Sequence, residues 1–294
     1  MFAVVDWPSN LGLKPSGVEM LPAALRRQGL VEALHARDAG SVAPTSEYDP
    51  RRDPQTGVLN GPALHDSIRA LARAIAEVMG GGETPIVLAG DCSAVLAGLL
   101  AMRTRGETAL LFIDGHADFD EPFASPTGEV ADMDLALATG RGPDILTAFD
   151  GVAPLVPDAK VAAVGGRDGD QAIRGTAITR LELKDIRERG ITAAANEALH
   201  AIGSPFWCHL DADVLDDAVM PAVDYRQPDG LEPAELTELL RAAYQSGRMA
   251  GLSVAIYNPL LDPHGDGARL LVRILTNTLT APFRDPDFLP RTSR

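Results

Sequence analysis

The sequence predicts an α/β protein built on a parallel sheet that helices cover on both faces. Short apolar segments alternate along the chain with longer segments whose apolar residues recur at helical spacing. The short segments are hydrophobic at nearly every position rather than at every second one, which is typical of strands buried on both faces. Strands that alternate with helices in this way favour parallel pairing, because a helix must cross over the sheet between them.

Six strands and five helices are predicted in chain order. The strand candidates are apolar runs at residues 1–7, 85–90, 108–115, 160–168, 206–214 and 249–259. The helix candidates cover residues 19–34, 61–79, 93–103, 232–245 and 266–279. Residues 61–79 give the clearest pattern, because Leu64, Ile68 and Leu71 recur on one helical face. Pro22 and Pro233 stand near the starts of their helices, where proline is tolerated.

Four polar segments are predicted to be irregular. Residues 40–60 are rich in turn-forming residues and predict a surface loop. Residues 120–134 and 215–232 predict long polar loops that follow strands. The last segment, 281–294, carries three prolines and predicts an irregular tail that packs on a neighbouring subunit.

The composition argues against several classes of protein. The chain has 294 residues, 46% hydrophobic and 23% charged, as in an ordinary globular protein. A formal charge of −15 argues against binding to nucleic acid or to an anionic membrane. We expect neither a signal peptide nor a membrane span, because no segment has the required pattern or length. Cys92 and Cys208 do not make a disulfide framework, so we expect a reducing, cytoplasmic location.

Polar side chains collect directly after three of the predicted strands. The segments are LAGDCS at residues 88–93, DGHAD at 114–118 and HLDADVLDD at 209–217. In parallel α/β sheets, binding residues collect outside the carboxyl ends of the strands. We therefore expect the three segments to face one crevice.

The second and third segments place acidic and imidazole side chains two residues apart. Such side chains point the same way in extended backbone, so those of 114–118 share one side and those of 209–213 do the same. Carboxylates crowded into one crevice repel each other strongly without a cation. Oxygen ligands with one or two nitrogens suit Mn²⁺ and, less strictly, Fe²⁺, Zn²⁺ or Ni²⁺. Each triplet alone is also compatible with surface or capping residues, but their repetition at strand ends predicts a metal site.

The three segments resemble the motifs of the ureohydrolase family, which includes arginase, agmatinase, guanidinobutyrase and formimidoylglutamase. The family pattern is Gly-Gly-Asp-His-Ser, then Asp-Ala-His-x-Asp, then Asp-x-Asp before a Leu-Asp-Pro turn. This chain reads AGDCS, DGHAD and DADVLDD at matching spacing. Residues 17–30 also resemble the family's N-terminal segment, and DGLEPAEL and YNPLLD resemble its later landmarks.

The resemblance implies a three-layer α/β/α sandwich with a mainly parallel sheet of about eight strands, in one domain spanning residues 1–294. It implies a homo-oligomer, a trimer or a hexamer. It also implies two Mn²⁺ ions and a metal-bound hydroxide that hydrolyses a linear C–N bond of a guanidino, amidino or formimidoyl small molecule.

The resemblance assigns the metal ligands by position. The six positions are Cys92, Asp114, His116, Asp118, Asp211 and Asp213. Asp114 and Asp211 correspond to the residues that bridge both ions. The other four form two pairs, His116 with Asp213 at one ion and Cys92 with Asp118 at the other.

Cys92 departs from the family, which has histidine there. A thiolate is softer than imidazole and favours Zn²⁺ or Fe²⁺ over Mn²⁺. A protonated thiol is barely a ligand. A single ion, or Zn²⁺, Fe²⁺ or Ni²⁺, is therefore an alternative to two Mn²⁺, and Cys92 as a merely small buried residue is another.

The proton-shuttling histidine of arginases is also missing. Alignment on Thr127–Gly128 places Ala131 there, and alanine cannot move a proton. His209 shares a strand face with Asp211 and could substitute, although a structural histidine bonded within the sheet is the alternative. The predicted catalytic residues are His209 and Asp118.

A glutamate that pairs with the substrate guanidinium in arginases is replaced as well. Counting back from Asn258 gives Ile256 or Ala255, and neither is acidic. Asp120 and Glu129 occupy places where arginases bind the amino-acid end of the substrate, so both are predicted substrate-binding residues. A second hypothesis therefore stands beside the hydrolase: a catalytically inactive homologue with a structural or regulatory role.

Overall fold

The structure centres on an eight-stranded, all-parallel sheet. The computed structural model describes residues 1–106, 108–167 and 172–282. Its strands are β1 (Phe2–Trp7), β2 (Arg37–Ser41), β3 (Thr84–Ala89), β4 (Leu110–Ile113), β5 (Val161–Val164), β6 (Thr179–Leu181), β7 (Phe206–Asp211) and β8 (Met249–Ala255). They lie in the order β2-β1-β3-β8-β7-β4-β5-β6, and every neighbouring pair is parallel.

Helices pack in two groups around this sheet. The helices of the described residues are α1 (Leu21–Arg27), α2 (Leu30–Ala33), α3 (Gly61–Gly80), α4 (Ala94–Arg103), α5 (Asp134–Ala138), α6 (Asp144–Thr147), α7 (Leu183–Arg189), α8 (Ile191–Ile202), α9 (Pro233–Gln245) and α10 (Asp266–Leu279). One group contains α3, α4, α5 and α6, and the other runs from α7 through α8, α9 and α10 to α1. The predicted three-layer α/β/α class with about eight parallel strands is confirmed.

The central strands are apolar because helices cover both of their faces. Every residue of β4 and of β7 is buried, and so is β3 after its first residue. β4 lies beside β7, with Ile113 opposite Leu210. Asp114 therefore leaves the sheet next to Asp211, at the edge where parallel α/β proteins place their binding sites.

Two strands are not predicted from the sequence, because they lie at the edges of the sheet. β2 has the sequence RDAGS and is largely exposed, and β6 has only three residues. An edge strand needs no continuous apolar run, since only one side of it pairs and its faces are partly in water. The hydrophobic pattern therefore carries no signal for either strand.

Two predicted elements do not extend as far as expected. The helix expected over 19–34 is broken, because Gly29 adopts a left-handed φ of 79° between α1 and α2. The strand expected over 206–214 ends at Asp211, since residues 212–214 form a 3-10 helix. Asp213 therefore does not continue the strand alternation of His209.

The loop predicted over 40–60 is also only partly at the surface. Its first two residues belong to β2, and Thr56–Asn60 are buried, with Val58 fully enclosed. The predicted tail over 281–294 lies outside the described residues, except for its first two. None of the helices in the described ranges has the length and apolar character needed to cross a membrane.

Candidate metal centre

The three polar segments meet at the carboxyl ends of β3, β4 and β7. Cys92 lies just before α4, in the turn that leaves β3. Asp114 begins the segment after β4, and Asp211 is the last residue of β7. All three are buried, with at most 3% of each residue exposed. The crevice expected from the sequence therefore exists, and its ligand-type side chains are withdrawn from water.

Asp114 is the common member of three groups of potential donor atoms. Within each group the atoms lie within 4.8 Å of one another. The groups are Cys92 with Asp114 and His209, Asp114 with His116 and Asp118, and Asp114 with Asp211 and Asp213. The six ligand positions predicted from the sequence are thus brought together, with His209 added to them.

Hydrogen bonds hold these side chains in place. The Cys92 thiol donates to Oδ2 of Asp211 at 2.8 Å, and the backbone N–H of Asp213 donates to the other oxygen of Asp211 at 2.7 Å. Nδ1 of His116 lies 2.9 Å from Oδ2 of Asp213. The backbone N–H of His116 donates to Oδ1 of Asp114 at 2.7 Å. Oδ2 of Asp114 is buried and has no hydrogen-bond partner among the described residues.

Burial makes the negative charge of this cluster costly. Burial, and next the nearby Asp213, raise the pKa of Asp114 from 3.8 to about 8. Burial and neighbouring carboxylates also raise the pKa of Asp118 and of Asp211. Burial raises the pKa of the Cys92 thiol, and Asp211 adds to the shift. A divalent cation removes this repulsion, so the donor set and the unpaired Oδ2 of Asp114 fit a metal ion.

An open cleft of about 740 Å³, including the part open to solvent, leads to this cluster. Its lining residues are Leu13, His116, Asp118, Phe119, Asp120, Ala131, Asp132, Asp211, Asp213, Tyr225 and Ile256. Ala131 and Ile256, the two positions that the resemblance aligns with a histidine and a glutamate, therefore both line the cleft. Ile256 has a φ of 71°, which is strained for a β-branched residue. Strain of this kind persists where the surrounding structure enforces it, and it is common at binding sites.

His209 lies in the interior rather than in the cleft lining. It is fully buried and stacks on Phe112 with ring centroids 5.3 Å apart. Its Nδ1 lies 2.8 Å from Oγ of Ser253, while Nε2 has no hydrogen-bond partner in the described part of the chain. Burial lowers the pKa of His209 to about 3, so its imidazole is neutral at pH 7. Its predicted shuttle role stays a prediction, as does the catalytic role of Asp118.

The two predicted substrate-binding acids have different surroundings. Asp120 is exposed and lines the cleft. Glu129 is buried, and its carboxylate accepts hydrogen bonds from the hydroxyl of Tyr225 at 2.8 Å and from the backbone N–H of Lys14 at 3.2 Å. Tyr225 itself lines the cleft. Both roles stay predictions, with Glu129 placed behind Tyr225.

Two acidic residues near the cluster are not among the site residues predicted from the sequence. Asp134 is fully buried at the start of α5, and neither of its carboxylate oxygens makes a well-formed hydrogen bond to a described residue. Burial, and next Asp114, raise its pKa. Asp132 lines the cleft, accepts a hydrogen bond from Thr127, and has a pKa that burial raises to about 6. The spacing Asp-Met-Asp is the available signal in the sequence, but it stands in a segment whose composition predicts a polar loop.

Known proteins share the sequence pattern and the fold. The profile of the Arginase family matches residues 2–280. The arginase of Brevibacillus brevis is 28% identical in sequence, over 94% of this chain and 96% of its own length. The solved arginase of Bacillus cereus is 23% identical with a TM-score of 0.87, over 96% of this chain and 99% of its own. The solved arginase of Bacillus caldovelox has the same identity and coverage with a TM-score of 0.89.

Proposed function

The chain belongs to the arginase family, and from that premise we propose that it is a metal-dependent hydrolase of linear, non-peptide C–N bonds. The substrate is a small molecule with a guanidino, amidino or formimidoyl group. We propose further that residues 1–294 form one domain, that the chain assembles as a trimer or hexamer, and that it works in the cytoplasm. The two free, buried cysteines support the last point.

The observation that carries the proposal is the convergence of donor groups on Asp114. Among the residues that the structure describes, three donor groups share this one carboxylate, and its Oδ2 makes no well-formed hydrogen bond. A side chain that is shared between adjacent donor sets suits a pair of neighbouring ions. Retention of all five carboxylate and imidazole positions, from Asp114 to Asp213, argues for selection on chemistry as well as on fold.

Six residues would hold the metal, and they are Cys92, Asp114, His116, Asp118, Asp211 and Asp213. A bound divalent ion would supply Lewis acidity and lower the pKa of coordinated water toward neutrality. The hydrogen bonds from Cys92 and from the backbone of Asp213 orient Asp211 toward the cluster. On the cleft side, the contact between His116 and Asp213 orients these two side chains toward the cluster.

The cleft lining favours a substrate with a cationic C–N group and an apolar portion. Asp118, Asp120 and Asp132 give the cleft acidic walls. Ile256 and Phe119 add apolar surface. Because Ile256 cannot pair with a guanidinium, the positive group must be neutralised by the acidic walls instead. Asp120, with Glu129 acting through Tyr225, is the proposed contact for the opposite end of the substrate.

The missing shuttle histidine and glutamate favour a second candidate, a catalytically inactive homologue. Ala131 and Ile256 leave the cleft without these two groups. Such a protein would keep the fold and bind metal without turning substrate over. Metal binding alone therefore does not distinguish the two candidates, and turnover does.

The test combines metal analysis with a turnover assay on the full chain. We would purify wild type, Asp211→Asn and, as a matched control, Asp66→Asn, which alters an exposed acid on α3. Wild type and the control should hold at least one ion per chain after growth with Mn²⁺ or Zn²⁺, and Asp211→Asn should hold less. Wild type and the control should release urea or ammonia from a panel of guanidino, amidino and formimidoyl compounds.

Three outcomes would contradict the hydrolase. Absence of bound metal from wild type removes the premise of the chemistry. Equal turnover by wild type and Asp211→Asn places the activity elsewhere. Bound metal with no turnover of any compound in the panel supports the inactive homologue instead.

A further inference from the structure

We propose that His209 is a metal ligand and that it shares one ion with Cys92 and Asp114. We call this set the inner position, and we call His116, Asp118 and Asp213 with Asp114 the outer position. Asp118 is placed with His116 because the two share a donor group, whereas the resemblance pairs it with Cys92. The inner position would then bind through sulfur, nitrogen and oxygen, whereas the outer position is mainly oxygen. This proposal rests on the metal-dependent function proposed above. The ligand positions implied by the family resemblance do not include His209.

The distances of the inner position suit one ion. The donor atoms of Cys92, Asp114 and His209 lie within 4.8 Å of one another. Ligand atoms around a tetrahedral Zn²⁺, at about 2.0–2.3 Å from the metal, are roughly 3.3–3.8 Å apart. A contraction of about one ångström, within reach of side-chain rotation, would bring the three atoms into a shared shell. Oδ2 of Asp211 lies 2.8 Å from Sγ of Cys92 and could serve as a fourth donor.

Two buried atoms at this position have no partner. Nε2 of His209 and Oδ2 of Asp114 are enclosed, and neither makes a well-formed hydrogen bond to a residue of the described ranges. Buried polar atoms in native proteins nearly always have a partner, so an unpaired atom of this kind points to a missing one. His209 and Asp114 belong to one donor group, so a shared cation is the simplest partner for the two atoms.

The other ring nitrogen of His209, Nδ1, has a hydrogen-bond partner, as is usual for metal-binding histidines. Nδ1 of His209 lies 2.8 Å from Oγ of Ser253, and such a second hydrogen bond orients a ligating ring. The indole N–H of Trp207 donates to the same oxygen at 3.0 Å. With the Nδ1–H tautomer donating to Ser253, the Nε2 lone pair is free for a metal ion.

Trp207 is fixed by two close glycines, which makes this support rigid. A Cβ at Gly98 of α4 would lie 2.1 Å from Trp207, and one at Gly251 of β8 would lie 2.2 Å from it. The indole therefore fills a slot that only glycine leaves open. The hydrogen bonds from Trp207 to Ser253 and between Ser253 and His209 thus hold the imidazole on the side of the sheet where Cys92 lies.

The donor chemistry sets the class of ion. Thiolate and imidazole favour Zn²⁺, Co²⁺ or Fe²⁺ over Mn²⁺, which prefers carboxylate oxygen. Metals bind cysteine as the thiolate, so one thiol proton passes to solvent for each ion bound at the inner position. The centre would therefore hold a softer ion at the inner position and accept Mn²⁺ at the outer one.

Cobalt spectroscopy tests the proposal without reference to activity. Co²⁺ bound to a thiolate gives a sulfur-to-metal charge-transfer absorption in the near ultraviolet. We would titrate metal-free full-length protein with Co²⁺ and compare wild type with Cys92→Ser and His209→Gln. Cys208→Ala is the matched control, since Cys208 is equally buried one residue before His209 but belongs to none of the three donor groups among the described residues.

Wild type and Cys208→Ala should show the absorption, and Cys92→Ser should lose it. His209→Gln should weaken Co²⁺ binding at the inner position by more than about tenfold and alter the d–d bands. Ser253→Ala keeps every proposed ligand and should weaken Co²⁺ binding at the inner position by about tenfold. This variant still tests the proposal if His209→Gln fails to fold.

Each contrary result has its own meaning. Cobalt bound without the sulfur absorption, or an unchanged spectrum and affinity in both His209→Gln and Ser253→Ala, overturns the inner position while the proposed function stands. No cobalt, zinc or manganese bound by wild type overturns the proposed function itself.

Discussion

The inner and outer positions share Asp114 but differ in their access to water. Cys92 and His209 are at most 1% exposed, whereas the His116 side chain is 23% exposed and lines the cleft. The inner side chains are supported by the sheet and by α4. The outer ones stand in irregular backbone after β4 or, for Asp213, in the 3-10 helix that follows β7. The outer position can therefore exchange ligands with solvent, and the inner position depends on the packing of the core.

The two positions also differ in how they match the ureohydrolase motifs. The outer position keeps the acids and the imidazole of those motifs. The inner position carries Cys92, where the motif has histidine, and has one histidine, His209, beside it. Among the six motif positions, the one departure therefore lies in the buried core.

The largest expected effect concerns the pH dependence of the metal-free protein. The pKa of Asp114 is raised from 3.8 to about 8, and that of Asp132 to about 6. An acid whose pKa is higher in the folded than in the unfolded protein stabilises the folded state fully at pH values below its unfolded pKa. This stabilisation is lost as the pH rises through its folded pKa. With a chelator present, the free energy of unfolding should fall by several kcal/mol between pH 5 and pH 8.

Urea unfolding at pH 5.5, 6.5 and 7.5 would measure this loss. Added Zn²⁺ should reduce it, because the ion binds the ionised carboxylates most tightly at high pH. Asp114→Asn should make the metal-free profile less steep, since it removes one of several carboxyl groups whose pKa burial raises. A metal-free stability that is constant or increases over this range would show that the cluster is not under electrostatic strain.

A smaller effect is expected from Gly98→Ala, which separates the inner position from the outer one. The added Cβ would overlap Trp207 and displace its indole from Ser253. We expect a loss of about 1–3 kcal/mol in unfolding free energy, as for other overpacked cores. The cobalt–thiolate absorption should weaken, while Mn²⁺ binding at the outer position persists.

Gly80→Ala is the control for this substitution. It lies at the end of α3, where an added Cβ meets nothing within 4 Å. We expect it to be neutral or to stabilise by up to about 1 kcal/mol, because alanine favours helix over glycine. If both variants behaved alike, the indole slot would not control the inner position.

The smallest effect is expected from Tyr225→Phe in the wall of the cleft. The hydroxyl of Tyr225 donates to Glu129 and accepts from Nζ of Lys14 at 2.7 Å. Its removal should cost about 1–2 kcal/mol in thermal or urea unfolding, because the buried Glu129 carboxylate loses a partner. The cobalt spectrum should stay the same, and a changed spectrum would mean that the wall and the inner position are coupled.

The sequence predicted most of the central sheet and six side chains that the structure brings together around Asp114. Strands such as β4 and β7 are buried on both faces, so their apolar runs were visible without a structure. Asp114, His116 and Asp211 were found because they directly follow such runs. The exposed edge strand β2 gave no apolar signal, and the break at Gly29 depended on a single left-handed residue.

The sequence by itself determined the fold class, the family and the strand ends where the polar residues gather, because hydrophobic periodicity and motif spacing are local properties of the chain. Only the tertiary structure decided that His209 faces Cys92, that Asp134 is buried beside the cluster and that Glu129 is bound to Tyr225. Alternation along a strand tells which side a residue takes, but sheet order, register and helix packing decide what it meets there. The identity of the inner position is therefore a property of packing between segments that are far apart in the chain.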